Sequence, residues 1–273
     1  MTGFVSLVGA GPGDPELLTI KGLKRLQEAD LILYDALVCA EMLEYAPHAR
    51  RFCVGKRGGQ QSVAQDTIEK LLIKAALRGE RVVRLKCGDP YVFGRGGEEG
   101  LALAERGISF EVIPGISTSI AAAGAAGIPI THRGIVSSFT VASGHSPDVY
   151  ESVIGNCEPN TMTLVFLMAI RNSSDIARNL LEKGWSPKTG IALVFGATTS
   201  EQVAWKGTVQ ELVNNPSVIE IPETNSKRAG AGKLPGTLIV GDVVFLANQL
   251  SPQTKWLNEE SSQNKRQWAQ QGR

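Results

Sequence analysis

The chain has 273 residues, of which 42% are hydrophobic, so it is long enough to bury one large core or two smaller ones. Its 28 basic and 27 acidic residues leave a net charge of +1, which excludes bulk electrostatic attraction to nucleic acid or to an anionic membrane. The longest apolar runs, such as Thr163–Met168, are too short to span a bilayer.

Short apolar runs alternate with helical patterns through the first part of the chain. Continuous apolar runs bounded by Gly, Asp or Pro are typical of parallel strands that are buried on both faces. Between them the sequence predicts a helix over Ser62–Arg78, with capping-box spacing of Ser62 and Gln65 and a stop at Gly79. The alternation predicts an α/β domain over residues 1–114. Its predicted strands are Phe4–Val8, Leu31–Tyr34, Phe52–Val54, Val82–Leu85 and Phe110–Ile113.

The alanine-rich stretch Gly115–Gly127 predicts a closely packed helix or a hinge. Beyond it we predict a second α/β domain over 115–250, with a helix at Ser174–Glu182 and a loop at Glu223–Lys233, followed by a loose polar tail over 251–273. The predicted strands of this domain are Phe139–Ala142, Thr163–Leu167, Ile191–Phe195, Val218–Ile221 and Leu238–Phe245.

The first predicted strand leads directly into a glycine- and proline-rich loop, VGAGPGDP. Gly9 and Gly11 permit a sharp turn and a close approach to a ligand. Asp35, at the end of the second strand, has the position of an acid that binds a ribose in dinucleotide-binding folds. A nicotinamide-dependent oxidoreductase and a structural turn are therefore both open interpretations. Against the first, Asp14 stands where a third glycine is needed, and Pro12 lacks an amide donor.

A second glycine-rich segment, RLKCGDPYVFGRGGEE, follows the predicted strand at Val82–Leu85. Its Gly-Asp-Pro turn places a carboxylate at the end of a strand, where it can accept hydrogen bonds from the hydroxyls or amine of a ligand. Because the carboxyl ends of parallel strands share one edge of a sheet, the two glycine-rich loops predict a common pocket there. A purely structural role for both loops is the alternative.

A series of motifs makes the resemblance to one family specific: VGAGPGDPELLTIKG, LYDALV, VGKRGG, VRLKCGDPYVFGRGGEE, PGIS, AGIPITHR and ASGH, in this order. From about Phe4 to Leu246 the chain resembles the uroporphyrinogen-III C-methyltransferases of the tetrapyrrole methylase superfamily. The wider superfamily shares the first loop and the Gly-Asp-Pro turn. The motifs VGKRGG, GRGGEE and IPITHR narrow the resemblance to the uroporphyrinogen-III C-methyltransferases. The resemblance implies two α/β domains with the active site in the cleft between them, and a homodimer.

The resemblance also implies a reaction. S-adenosyl-L-methionine is the expected methyl donor and S-adenosyl-L-homocysteine the product, with no metal. The expected substrate is uroporphyrinogen III, methylated at C2 and C7 to give precorrin-2 via precorrin-1 on the way to sirohaem or cobalamin. A methyltransferase acting on a later precorrin is the nearest alternative. The residues that match the family's donor site are Pro12, Cys87, Gly88, Asp89, Val92, Ser117, Thr118, Met168 and Ala197.

Catalytic and substrate-binding residues follow from the same resemblance. Asp35 matches the proton acceptor and Lys56 the proton donor, and the alternatives are an acidic turn and a solvated lysine. The substrate carries several carboxylates, which arginine forks bind well. Arg57, Arg95 and Arg133 are therefore the substrate-binding candidates. For any one of these arginines, a structural ion pair with a residue such as Glu98 or Glu99 is the alternative.

The sequence departs from the family pattern at Cys87, where glycine is usual, and at Ala125 and Leu167, where tyrosine is common. The segment Glu223–Lys233 is also longer than usual. A third hypothesis is a non-catalytic scaffold or regulator that has kept the fold, and Cys87, Ala125 and Leu167 are the features in its favour. The four cysteines have no CxxC pair, which indicates reduced thiols and a cytoplasmic protein, and no His–Cys–carboxylate spacing favours a metal. We expect no nucleic-acid or membrane partner.

Overall fold

The computed structural model describes residues 3–55, 63–216, 222–223, 233–250 and 254–257. The chain divides into two compact units: unit 1 runs to Ser117, and unit 2 takes Thr118–Pro222 and the chain from Lys233. Two predicted site residues, Lys56 and Arg57, lie outside the described residues. So do the predicted strand Val218–Ile221 and most of the predicted loop at Glu223–Lys233.

Unit 1 is built on a parallel sheet whose strands are β1 (Phe4–Gly9), β2 (Leu31–Tyr34), β3 (Arg50–Cys53), β4 (Arg81–Lys86) and β5 (Phe110–Ile113). Their order is β3-β2-β4-β1-β5, and every neighbouring pair is parallel. Val8 of β1 and Tyr34 of β2 both lie opposite Leu85 of β4. The three strands therefore end at the same level, so the loops that follow them meet at one edge of the sheet.

Helices cover both faces of this sheet: α1 (Ile20–Gln27), α2 (Ala40–Glu44), α3 (Gln65–Leu77) and α4 (Gly96–Ala104). Leu26 and Met42 pack with Leu85 on one face, and Leu72 and Leu103 pack with Leu7 on the other. Burial on both faces is the reason why the strands are continuously apolar. Unit 1 is thus α/β, as predicted.

Helix α3 begins later than predicted, and Ser62 of the predicted capping box lies outside the described residues. The helix begins at Gln65, and Ala64 is its N-cap without a side-chain hydrogen bond. The side-chain amide of Gln65 instead donates to Glu99 Oε1 at 3.3 Å. The helix therefore starts at Gln65, later than predicted, and the Gln65 side chain bonds to α4.

Unit 2 contains a mixed sheet of β6 (Phe139–Ser143), β7 (Thr163–Leu167), β8 (Gly190–Phe195), β9 (Val203–Thr208) and β10 (Gly236–Val240), in the order β6-β7-β10-β8-β9. Among the described strands of this sheet, only β6 and β7 pair in parallel, and β10 is antiparallel to both β7 and β8. β7 and β8 therefore run in the same direction. The helices of unit 2 are α5 (Thr118–Ala125), α6 (Pro147–Gly155), α7 (Ser173–Glu182), α8 (Val209–Asn214) and α9 (Ala247–Leu250). Among the helices described in both units, none combines the length and the apolar character that crossing a membrane requires.

Two elements of unit 2 differ from the sequence-based prediction. The predicted strand Leu238–Phe245 is two elements, because β10 ends at Val240 and a 3₁₀ helix runs over Asp242–Leu246. Gly241 makes the turn between them with φ of 145°, a conformation that residues with a side chain rarely adopt. Strand β9 was not predicted, because its sequence, VAWKGT, mixes polar and apolar residues.

Part of the predicted tail is packed rather than loose. The backbone N–H of Ala204 in β9 donates to the carbonyl of Lys255 at 3.0 Å, and Trp256 pairs with Ala204 as an isolated parallel bridge. The Trp256 side chain is 4% exposed, and the ammonium of Lys206 lies 3.9 Å from the centre of its ring. A buried aromatic ring and a cation–π contact thus hold this segment against the edge of the sheet.

Candidate active site

The two glycine-rich loops of unit 1 are joined backbone to backbone. The N–H of Gly88 donates to the carbonyl of Gly11 at 2.8 Å, and the N–H of Gly11 donates to Gly88 at 3.2 Å. The N–H of Ala10 donates to the carbonyl of Lys86 at 2.7 Å. Gly11 and Gly88 have φ of 76° and 68°, which a residue with a side chain adopts only with strain. The loops after β1 and β4 therefore lie side by side at one edge of the sheet and are bonded to each other.

Three strand ends approach one another too closely for side chains. A Cβ on Gly9 would lie 2.5 Å from the Cα of Gly115, and a Cβ on Gly115 would lie 2.2 Å from the carbonyl oxygen of Gly88. Both distances are shorter than any real Cβ contact. The segment after β5 is thus packed directly on the loops after β1 and β4, and the edge of the sheet presents backbone rather than side chains at this point.

Asp89 builds the turn that follows β4. Its Oδ1 accepts a hydrogen bond from the N–H of Tyr91 at 2.8 Å, and its Oδ2 accepts one from the N–H of Gly115 at 3.0 Å. The carboxylate therefore ties the loop after β4 to the segment after β5. Val92 closes the same turn, because its N–H donates to the carbonyl of Asp89 at 3.3 Å.

Cys87 occupies the family's usual glycine position without a left-handed backbone. The positive φ lies at the next residue, Gly88. The Cys87 N–H donates to Asp35 Oδ2 at 3.3 Å, and its Sγ lies 4.0 Å from the carbonyl oxygen of Gly11. The thiol thus faces the backbone of the first loop, where Pro12 is buried.

The first loop lacks the geometry of a pyrophosphate cradle. The amides of Ala10 and Gly11 are already bound by carbonyls of the second loop. Asp14 accepts the N–H of Glu16 at 2.9 Å and caps a 3₁₀ turn over Pro15–Leu17, so the long helix begins only at Ile20. Dinucleotide-binding loops lead straight into a helix whose free amides hold the phosphates. The predicted nicotinamide alternative is therefore not supported.

Asp35 follows β2 at this same edge and is held by a buried arginine. Arg84 Nη2 lies 2.5 Å from Asp35 Oδ1, and the two side chains are 3% and 29% exposed. Burial lowers the pKa of Arg84, but the negative charges of Asp35 and Glu99 outweigh burial and raise it above its ordinary value. The guanidinium is a permanent cation here, and it leaves one oxygen of Asp35 facing the loop at Cys87.

Behind Arg84 lies a second buried carboxylate that the sequence analysis did not single out as a site residue. Glu99, in the first turn of α4, is fully buried, and its Oε1 accepts from Arg84 Nε at 2.9 Å. Lys86 Nζ lies 3.0 Å from Oε1 and 2.9 Å from Oε2 of Glu99. Burial and the charge of Arg84 lower the pKa of Lys86. A signal was present in the sequence, since Arg84 and Lys86 alternate along an otherwise apolar strand and buried cations need anions.

Arg95 forms an ion pair with Glu98, which was the structural alternative to a role in substrate binding. Its Nε and Nη2 donate to the two carboxylate oxygens of Glu98 at 2.9 and 2.6 Å, and both side chains are more than half exposed. The hydrogen bond from Arg95 lowers the pKa of Glu98. Arg95 also has a left-handed backbone, with φ of 60°, as the N-cap of α4. Strain of this kind is concentrated at functional sites.

Unit 2 places two predicted donor-binding residues at one edge of its sheet. Met168 directly follows β7, has φ of 58° and is 52% exposed. Ala197 follows β8 and is buried, between Gly196 and Thr198, which both have positive φ. The N–H of Gly196 donates to the carbonyl of Pro235 at 2.9 Å, so the chain entering β10 lies beside the end of β8. A strained, exposed methionine at a strand end is a feature of a binding site rather than of a core.

The remaining predicted residues lie at element boundaries or on exposed turns. Ser117 is buried as the last residue of unit 1, and Thr118 opens α5. Arg133 is exposed on the turn between His132 and Val136, whose backbones bond each other at 2.9 and 3.0 Å. Within the described ranges, no group of three or more His, Cys, Asp or Glu side chains is placed to hold a metal ion.

Comparisons with known proteins identify the family of the chain. The sequence model of the Tetrapyrrole (Corrin/Porphyrin) Methylases matches residues 5–213. The chain is 46% identical over 247 residues to a uroporphyrinogen-III C-methyltransferase of Methanocaldococcus jannaschii, covering 89% of this chain and 98% of that protein. It is 42% identical to a siroheme synthase of Actinobacillus succinogenes, covering 97% of this chain but 52% of that longer protein.

The solved structures agree as well. The crystal structure of the uroporphyrin-III C-methyltransferase of Thermus thermophilus complexed with S-adenyl homocysteine is 37% identical, with a TM-score of 0.71, and covers 89% of this chain and 100% of that one. The family model spans most of the sequence, from residue 5 to residue 213. These matches confirm the predicted fold class and family: the chain belongs to the tetrapyrrole (corrin/porphyrin) methylases.

Proposed function

We propose that this chain transfers methyl groups from S-adenosyl-L-methionine to C2 and C7 of uroporphyrinogen III, giving precorrin-2 via precorrin-1. The observation that carries the proposal is the 46% identity over 89% of the chain to a relative of nearly the same length that is named for this activity. The product is a branch point toward sirohaem and cobalamin.

The geometry of unit 1 suits a methyl donor that carries no phosphate. S-adenosyl-L-methionine supplies a methyl group on a positively charged sulfur, which needs neither a metal nor a cradle of free amides. The amides of Ala10 and Gly11 are already bound, and the loops present a backbone surface with a buried Pro12. We assign the donor site to Pro12, Cys87, Gly88, Asp89, Val92, Ser117, Thr118, Met168 and Ala197. Of these, Asp89 serves mainly to hold the turn, since both of its oxygens bind backbone amides.

Asp35 is the group we assign to the proton that the methylated ring loses. Its carboxylate is partly exposed, at the edge of the sheet where the loops meet. Hydrogen bonds from Arg84 and from the Cys87 amide fix its orientation. A positioned carboxylate of this kind contributes about 10²–10⁴-fold to a proton transfer. We assign Lys56 as the proton donor.

Substrate binding is assigned to arginines. The carboxylates of the macrocycle suit the guanidinium groups of Arg57, Arg95 and Arg133. Arg95 is presented on a left-handed turn at the start of α4, with its fork already paired to Glu98. A substrate carboxylate at this position therefore has to displace Glu98 or share the guanidinium with it.

We further propose a homodimer and a cytoplasmic location. The resemblance to the family supports the dimer. All four cysteines are thiols rather than disulfides, which supports a reducing compartment.

Incubation of the purified protein with uroporphyrinogen III and S-adenosyl-L-methionine under reducing conditions tests the assignment. Mass analysis should show a product that carries two additional methyl groups, with a singly methylated intermediate at early times. A protein that leaves uroporphyrinogen III unmodified but methylates a later precorrin would show that the substrate assignment is wrong. A calorimetric titration with S-adenosyl-L-homocysteine and with NAD should give binding of the first compound alone.

A further inference from the structure

Four charged side chains form one connected network in unit 1. Glu99 bonds Lys86 and Arg84, and Arg84 bonds Asp35. Two acids and two bases make the network neutral. Glu99, Lys86 and Arg84 are almost completely buried, so Asp35 is the member through which the network reaches solvent.

The guanidinium of Arg84 is held from several sides. Nε donates to Glu99 at 2.9 Å, Nη2 donates to Asp35 at 2.5 Å, and Nη1 donates to the backbone carbonyls of Leu33 and Leu85 at 3.4 and 3.3 Å. A planar fork bound at Nε and Nη1 has its remaining N–H groups aimed in a fixed direction. The direction in which Arg84 holds Asp35 is therefore set in part by Glu99.

Glu99 in turn accepts hydrogen bonds from side chains of two other elements, α3 and β4. Its Oε1 accepts from Gln65 of α3 as well as from Arg84 and Lys86 of β4. Glu99 sits next in sequence to Glu98, which is exposed and paired with Arg95 on the loop. The first turn of α4 thus carries one glutamate toward the loop surface and the other into the buried network.

We propose that Glu99 is a positioning residue for the methyl transfer: it fixes Arg84, and through Arg84 the carboxylate of Asp35, while Lys86 holds Glu99 in place. The inference rests on the proposed function of Asp35 as proton acceptor. Lys86 and Arg84 are both cations, so without the charge of Glu99 the carboxylate of Asp35 is the only acid left in the network to compensate them. The Nε of Arg84 also loses its charged acceptor, so the guanidinium is no longer fixed and does not keep the carboxylate of Asp35 in one orientation.

The test compares the full-length variants Glu99→Gln and Glu111→Gln. Glu111 is the matched control, because its carboxylate also binds two cations, Arg25 and Lys21, and it lies on β5 outside the network. We expect Glu99→Gln to lower kcat by about tenfold or more. Its KM and its affinity for S-adenosyl-L-homocysteine should remain within about threefold of the parent. Glu111→Gln should lower the thermal midpoint but leave kcat unchanged.

A double-mutant cycle separates positioning from general damage. In an Asp35→Asn background, adding Glu99→Gln should reduce kcat by no more than about twofold, because the residue through which it acts is already lost. The same factor in both backgrounds would overturn the inference, as would a Glu99→Gln enzyme with the parent's kcat. An Asp35→Asn enzyme that retains full turnover would instead show that the proposed proton acceptor is wrong.

A second variant covers the case in which Glu99→Gln does not fold. Removing one partner of a buried ion pair leaves an uncompensated charge and is strongly destabilising. The double variant Lys86→Gln with Glu99→Gln removes one charge of each sign, so the rest of the network stays neutral. It should fold, and it should show the same loss of kcat at nearly unchanged KM. A folded double variant with the parent's kcat would contradict the role of Glu99.

Discussion

Asp89 and Gly115 join the loop after β4 to the segment after β5: the N–H of Gly115 donates to Asp89 Oδ2 at 3.0 Å. The other oxygen of Asp89 accepts the N–H of Tyr91. In Asp89→Asn, only one side-chain oxygen remains to accept hydrogen bonds from the two backbone amides. The new side-chain nitrogen faces one of these N–H donors and cannot accept from it. We expect the affinity for S-adenosyl-L-homocysteine to fall by about tenfold, since a hydrogen bond to a charged group contributes about 1.5–3 kcal/mol. Calorimetric titration measures this. Asp148→Asn, an exposed change on α6, is the control, and an Asp89→Asn variant that binds like this control would contradict the prediction.

Asp35→Asn should keep donor binding and lose most methyl transfer, because it removes a base and barely changes the shape of the side chain. It also removes a negative charge that compensates the buried Arg84. We therefore expect a free energy of unfolding lower by about 1–3 kcal/mol. The measurements are turnover, donor affinity and urea unfolding. Asp30→Asn is a matched control: Asp30 precedes β2 at the opposite end and pairs with exposed Arg81. Weakened donor binding at full turnover would mean that Asp35 holds the donor rather than the proton.

Cys87→Gly should retain donor binding within about threefold, which corresponds to about 0.6 kcal/mol. The backbone of Cys87 has no left-handed strain to relieve, because Gly88 carries the positive φ. Added chain freedom should lower stability by about 0.5–1 kcal/mol. A thiol reagent should react slowly at Cys87 when the donor is bound, since Sγ faces the carbonyl of Gly11. Loss of donor binding in Cys87→Gly would show that the thiol makes an essential contact.

Protonation of the Glu111 carboxylate should contribute to the unfolding of the protein in acid. Burial raises the pKa of its carboxylate, but hydrogen bonds from Arg25, Lys21 and Ser6 outweigh burial and hold the pKa below its ordinary value. A carboxylate with a lowered pKa in the folded state contributes stability that is fully present above its unfolded pKa, which is about 4.3 for glutamate. That contribution is lost as the pH falls through the folded pKa.

The variant Glu111→Gln should therefore be less stable than the parent at neutral pH, and the two should converge as the pH falls below about 4. Urea unfolding as a function of pH measures this. Glu105→Gln, an exposed change at the end of α4, should follow the parent at every pH. Parallel curves for Glu111→Gln and the parent would show that the ion pairs of Glu111 add no pH-dependent stability.

The proposed homodimer has a direct test. Light scattering at micromolar concentration should give twice the 29.2 kDa mass of one chain. A particle with the mass of one chain, active in methyl transfer, would exclude the dimer as a requirement for activity.

The parts of the fold that local sequence predicts are those with continuous apolar runs. β1, β2, β4, β7 and β8 are buried on both faces, so their composition identifies them regardless of context. β9 lies at the edge of its sheet, and only Ala204 and Trp205 in it are buried before Lys206 and Gly207 follow, so no apolar run marks it. The predicted strand extended past the end of β10, because the residues after Gly241 are also apolar. Only the backbone angle of that glycine separates the strand from the 3₁₀ helix.

The candidate site divides in the same way. The glycine-rich loops were predictable, because glycine at strand ends reports on the backbone itself. The bond between Arg84 and Glu99 was not, although the two residues are close in sequence, because it depends on α4 turning one of two adjacent glutamates inward. From the sequence spacing alone, Glu98 and Glu99 were equally suitable ion-pair partners for an arginine. Packing decides between them.

The bridge between Ala204 and Trp256 has a consequence for synthesis of the chain. The segment Thr254–Leu257 follows every strand described in unit 2, so the residues of β9 are synthesised before the segment that covers its outer side. Until Trp256 arrives, β9 exposes unpaired backbone amides and carbonyls, to which a second nascent chain can add. The segment that carries Trp256 thus occupies the outer side of β9 at Ala204, where a strand of another chain could otherwise pair.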